Sequence, residues 1–151
     1  MDVLIVEDNT NKLRSIREYF KTSCPECMIE ETYSFSGGKK KVFEKKWDLI
    51  IMDMSLPTYD ITHSESGGDK KPIAGINIIK SMKNREVYYP VIVITQFETF
   101  DDEKVSLSSL NKELEEKYSD IWRGTIYYGD DEWEIRLTNL LIEKGLMREN
   151  D

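Results

Sequence analysis

The sequence predicts a doubly wound α/β domain, and three observations predict it. Nearly continuous apolar runs recur at residues 3–6, 49–52 and 91–94. Strands read this way when helices cover both faces of a parallel sheet, because neither face is left to polar residues. Segments with apolar residues at helical spacing separate the runs, and every parallel connection needs such a crossover, right-handed in nearly all folds. The length of 151 residues suits one domain, with no room for a second.

Taken in order, the first run is followed by Leu13, Ile16 and Phe20, one apolar stripe of a helix. A weaker strand candidate at 28–35 precedes a stripe of Val42, Phe43 and Trp47, and the run at 49–52 makes the third strand. Residues 58–74, TYDITHSESGGDKKPIA, carry Gly67, Gly68 and Pro72 without periodicity and read as a long insert before the third helix. That helix carries Ile78, Ile79 and Met82, and the fourth strand follows at 91–94. After an acidic stretch, SLSSLNKELEEKYSDIW reads as a lengthened fourth helix with a stripe of Leu107, Leu110, Leu114 and Tyr118. Residues 125–128 form the fifth strand candidate, and Trp133, Leu137, Leu140 and Leu141 the fifth helix. In such a sheet ligands bind beyond the carboxyl ends of the strands, where strand order reverses.

Composition narrows the function. Apolar residues make up 39% and charged residues 33% of the chain, with a mean hydropathy of -0.54, so a packed core is expected and disorder is not. The net charge of -8 argues against nucleic acid as a partner. No run approaches the ~20 residues that cross a bilayer, and no leader precedes the first run, so a cytoplasmic protein with protein partners is expected. Cys24 and Cys27 are too few for a disulfide framework and agree with a reducing compartment; their CPEC spacing follows a helix instead of opening one, which weakens a redox or zinc reading. His63, the single histidine, reads as an exposed loop residue of the insert.

The strand ends carry the chemistry. Glu7, Asp8 and Asn9 follow the first strand, Asp53 ends the third, and Thr95 ends the fourth. Like charges ~4 Å apart repel by roughly 4 kcal/mol at an effective dielectric of 20, so three converging carboxylates need neutralising. A hard divalent cation such as Mg2+ does this with one or two carboxylates while leaving positions for phosphate oxygens. Capping of the next helix accounts for residues 7–9 on their own but does not account for Asp53.

VLIVEDN, DLIIMDMSLP and PVIVITQF together resemble the receiver domains of two-component response regulators, over nearly the whole chain. The resemblance implies a flavodoxin-like sheet of strand order 2-1-3-4-5 with five helices. It implies that Asp53 accepts a phosphoryl group from a histidine kinase or histidine phosphotransfer protein. Asp8 and Asp53 would hold Mg2+ with the backbone carbonyl of Ser55, Glu7 would act through water, and the Thr95 hydroxyl would donate to a phosphoryl oxygen.

The pattern departs at the fifth strand, where receivers usually carry a lysine that pairs with the phosphoryl group. Here GTIYYGDDEW puts Tyr128 at that place, followed by Gly129, and no lysine lies between Lys117 and Lys144. A tyrosine donates a hydrogen bond but brings no charge. Lys70 and Lys71, within the insert that separates Asp53 from Gly75, are the candidate substitutes. Gly67 and Gly68 before them lack the remainder of a phosphate-loop pattern.

The expectation is therefore a stand-alone receiver over residues 1–151, without an effector domain and without turnover of an external substrate. A phosphorylation-independent docking module is the alternative, since the lysine is missing. A metal-dependent phosphohydrolase of the haloacid-dehalogenase or toprim type is a weaker one, because Ser55 stands where a second acidic residue belongs. Any part of the fourth-helix stripe left exposed would serve a homodimer or partner interface.

Overall fold

In the computed structural model, residues 1–60, 70–71, 73–96, 99–100 and 105–149 are described, those at 70–71 and 99–100 through their backbone alone. Five parallel strands form the central sheet: β1 (Asp2–Val6), β2 (Met28–Thr32), β3 (Leu49–Met52), β4 (Val91–Thr95) and β5 (Trp122–Tyr127). Their order is β2-β1-β3-β4-β5. Five helices alternate with them: α1 (Thr10–Ser23), α2 (Phe35–Val42), α3 (Ala74–Asn84), α4 (Leu107–Tyr118) and α5 (Trp133–Glu143). This is the expected doubly wound, flavodoxin-like architecture.

Strand alternation divides the core between the two faces. Val3, Ile5, Leu49, Ile51, Ile92 and Ile94 pack with Leu13, Ile16 and Phe20 of α1 and Leu137 and Leu141 of α5. Leu4, Val6, Ile50, Met52, Val91 and Val93 pack with residues of α2, α3 and α4 on the other face. Every residue of β1 after Asp2, and all of β3 and β4, is buried, which explains why their sequences show no alternation.

Some boundaries differ from the sequence expectation. The strand expected at 28–35 stops at Thr32, because Ser34 caps α2 by accepting from Gly37 N. β5 begins at Trp122, earlier than expected. Trp122 opposes Val91 and Gly124 opposes Ile92, so Arg123 forms a bulge. Gly124 has φ 156 and lies against Leu140, where a Cβ would meet Leu140 Cδ2 at 2.7 Å.

The fourth helix ends before the expected segment does: α4 has 12 residues and stops at Tyr118, short of Trp122. The extra chain after β4 enters instead an antiparallel ladder of Thr99–Phe100 with Val105–Ser106 and the early start of β5. Leu110, Leu114, Tyr118 and Ile121 are buried in the core and Leu107 packs against it partly buried, so most of the α4 stripe covers the sheet. A second ladder pairs Leu56–Pro57 with Lys70–Lys71 and closes the ends of the insert.

The two cysteines also differ from expectation, for Cys24 and Cys27 are joined in a disulfide. The turn after α1, in which Cys27 N donates to Cys24 O, brings their Cα atoms to 5.4 Å, within bridging range. His63 lies outside the described residues. Among the described residues no helix is long and apolar enough to cross a membrane.

Candidate functional site

The register of the inner strands builds the site. Val6 is opposite Met52 and Met52 opposite Val93, so the next residues along, Glu7, Asp53 and Ile94, stand side by side at the carboxyl edge. Asp53 N donates to Val6 O at 3.0 Å and Glu7 N to Thr32 O at 3.0 Å, which fixes both backbones. Continuing the period of two from Ile5 and Ile51 turns Glu7 and Asp53 toward the face that α1 covers.

Carboxylate oxygens of Glu7, Asp8 and Asp53 lie within 4.8 Å of one another. Glu7 is 1% and Asp53 4% exposed, whereas Asp8 is half-buried. Asp53 Oδ1 accepts from Met54 N at 2.8 Å. Glu7 Oε2 accepts from Asn9 N at 3.1 Å, and Asn9 Oδ1 caps α1 by accepting from Lys12 N at 3.0 Å. A cavity of about 480 Å³ opens beside Asp8, lined also by Thr10, Leu13, Arg17, Tyr33 and Asp60.

One residue of the cluster was not among those read from the sequence. Lys12, 1% exposed, reaches in from α1. Its Nζ lies 2.5 Å from Glu7 Oε1 and 3.4 Å from Asp53 Oδ1, and donates to Ile94 O at 2.6 Å. The sequence did hold a signal: Lys12 is one turn before Ile16 and two before Tyr19, on the stripe that α1 buries.

Burial, and next the Asp53 charge, push the Glu7 carboxyl up to about 8, with Lys12 pulling the other way. Glu7 has little water around it and a second carboxylate at the same sheet edge, and both disfavour its ionised form.

The remaining candidates fall as follows. Thr95 ends β4 and is fully buried, and its carbonyl accepts from Tyr128 N at 2.7 Å. Ser55, two residues past Asp53, is also buried. The Tyr128 hydroxyl donates to Ser15 Oγ of α1 at 3.0 Å, and its ring centroid is 6.0 Å from Lys12 Nζ. The side chains of Lys70 and Lys71 lie outside the described residues; their backbones lie on the ladder with Leu56–Pro57.

The site suits a divalent cation. Its donors are hard oxygens, and Glu7 Oε1, though ion-paired, is a buried oxygen with no hydrogen bond of acceptable geometry among the described residues. Three ionised carboxylates against one ammonium would leave two negative charges for such an ion to balance.

With this geometry in hand, residues 3–114 match the response regulator receiver domain family. The chain belongs to that family. This receiver is similar to the uncharacterised protein y4jR of Sinorhizobium fredii, 30% identical over 92% of the chain and 95% of the relative. It is equally similar to the Detocs response regulatory protein DtcB of Enterobacter cloacae, 30% identical over 93% and 96%. Among solved structures, a two-component response regulator from Clostridium difficile shares the fold, with a TM-score of 0.64 at 17% identity over 99% of both chains. The receiver domain of a sensor histidine kinase from Pseudomonas aeruginosa PAO1, with magnesium ion coordinated in its active site cleft, has a TM-score of 0.60 at 16% identity over 94% of each.

Proposed function

We propose that this receiver accepts a phosphoryl group on Asp53 in the presence of Mg2+ and passes the resulting change to a protein partner in the cytoplasm. The observation that carries the reading is the approach of the Glu7, Asp8 and Asp53 carboxylate oxygens to within 4.8 Å. Membership of the receiver family and the magnesium ion of the Pseudomonas aeruginosa relative support it. Asp8 and Asp53, with the Ser55 carbonyl, would hold the ion and Glu7 would act through water. When bound, the ion offsets charge on the transferring phosphoryl oxygens.

An Asp53 carboxylate oxygen attacks phosphorus in line. The new O–P bond forms as the P–N bond of a phosphohistidine breaks, and the histidine nitrogen leaves with the electron pair and takes up a proton. A histidine kinase or histidine phosphotransfer protein is the donor class that this exchange needs. The product is an acyl phosphate, labile enough for the signal to be erased by water. Thr95, at the end of the neighbouring strand, would donate its hydroxyl to a phosphoryl oxygen and carry the change into the loop after β4.

The test is incubation of the full chain with Mg2+ and a small acyl phosphate, followed by intact-mass measurement. The mass of one phosphoryl group should be gained by the wild type and lost in Asp53→Asn. No gain, with a cognate histidine kinase as well, would make the chain a phosphorylation-independent docking module.

A further inference from the structure

Lys12 carries a charge where neither its helix nor its burial favours one. It is the third residue of α1 after the Asn9 cap, and the positive end of a helix dipole disfavours a cation there. A lysine with 1% exposure is rare unless paired. Among the described residues it is the one cation buried in the molecule.

We propose that Lys12 is the phosphoryl-pairing cation of this receiver, so that the charge the family ordinarily supplies from the fifth strand comes here from the first turn of α1. The inference rests on the reading of Asp53 as phosphoacceptor. The ammonium is 3.4 Å from Asp53 Oδ1 before any modification. Once that carboxylate carries phosphorus, the phosphoryl oxygens extend from an atom Lys12 already faces, and a charge-assisted contact follows from a small rotation of a flexible stem.

Tyr128 fits the exchange. The tyrosine in the usual lysine's place sends its hydroxyl to Ser15 and lays its ring beside Lys12 Nζ, 6.0 Å from the centroid. Lys12 and Ser15 are three residues apart on one face of α1, so a single helix face anchors the tyrosine and supplies the cation. The aromatic ring and the ammonium meet across the boundary between α1 and the end of β5.

The exchange also alters what phosphorylation would move. Lys12 Nζ has Glu7, Asp53 and Ile94 O around it, one neighbour for each of its three protons. A phosphoryl oxygen must displace one of them. Release of the Ile94 carbonyl, next to Thr95, would link α1 directly to the end of β4.

The experiment compares phosphorylation of the full-length wild type, Asp53→Asn, Lys12→Met, Lys12→Arg and the double variant Lys12→Met/Tyr128→Lys, with Mg2+ and a small acyl phosphate. Lys12→Met should slow the gain of mass by about 100-fold or more, the range seen when a donor to developing charge is removed. Lys12→Arg should keep part of the rate, and returning a lysine at position 128 should restore it, which a merely structural Lys12 would not allow. Equal rates in wild type and Lys12→Met would overturn the inference while leaving Asp53 as acceptor. So would loss of the reaction in Lys70→Ala/Lys71→Ala with Lys12 intact. A wild type that gains no mass from the acyl phosphate or a cognate kinase removes the acceptor reading itself. Should Lys12→Met not fold, the Nζ resonance of Lys12 in the wild type decides: it should move when beryllofluoride is added to the Mg2+-loaded protein, and a fixed resonance overturns the inference.

Discussion

Lys12 Nζ donates to the carbonyl oxygen of Ile94, 82 positions away, at 2.6 Å. The same ammonium contacts Glu7 and Asp53, so one side chain of α1 ties together the ends of β1, β3 and β4. Removing it leaves carboxylates in a buried site without their counter-charge. Breaking a buried pair from one side costs about 3–5 kcal/mol, more than most core truncations of one methylene. Lys12→Met should therefore lower the metal-free unfolding free energy by about that amount in urea titrations. Above about pH 8, where Glu7 ionises, Glu7→Gln in the same chain should recover part of the loss, since it removes the charge left unpaired. Additive losses in the double variant would mean that the two side chains do not act as a pair.

Mg2+ should raise the melting temperature, because a ligand that binds only the folded state stabilises it by mass action. At ten times its dissociation constant the gain is about 1.4 kcal/mol, which for a chain of this size corresponds to a shift of about 3–6 °C. Asp8→Ala should blunt the shift. Asp8 is half-buried, so its removal costs little packing and tests the ligand role directly. An equal shift in both proteins, followed by scanning calorimetry over millimolar Mg2+, would place the ion elsewhere.

The pH dependence follows from Glu7. Its ordinary value is 4.5, and in the folded chain burial and Asp53 hold it near 8. A raised carboxyl binds its proton more tightly when folded, so its contribution to stability is full below about 4.5 and disappears as pH rises through about 8. The metal-free protein should become less stable to urea between pH 5 and pH 8 (a window spanning roughly the raised value). Glu7→Gln should flatten this slope. Saturating Mg2+ should flatten it too, since a cation beside the carboxylate favours its ionised form. A metal-free stability that climbs across the same window would contradict the assignment.

The order of elements was legible because burial on both faces writes itself into β1, β3 and β4 as unbroken apolar runs. The edge strand β2, with Glu30 and Glu31 in its middle, carries a weaker pattern, so its end at Thr32 was blurred. The three acids were legible as residues that immediately follow or end such runs. Lys12 was not, since a lysine near a helix start is ordinarily solvated, and only its spacing to Ile16 and Tyr19 marks it as inward. Nor did the sequence predict that Tyr128 would bond to Ser15, because that contact joins residues 113 positions apart. α4 was misjudged in length because its apolar spacing continues through Ile121 and Trp122, where the chain has already turned into β5.

Gly75, at the start of α3, packs against the backbone of Asp53 and tests the site without changing a charge. Its backbone N donates to Met54 O at 3.0 Å, and a Cβ there would lie 2.6 Å from Asp53 O and 2.5 Å from Met54 Cε. The Met54 side chain can move, but the Asp53 carbonyl belongs to the backbone that aims the carboxylate. Gly75→Ala should thus cost about 1–3 kcal/mol, as overpacking against fixed atoms does, and should also shift Asp53. The expected result is a lower midpoint in urea together with slower gain of phosphoryl mass at a temperature where the variant is fully folded. A variant that loses stability but is phosphorylated at the wild-type rate would show that the strain is absorbed by α3 and does not reach Asp53.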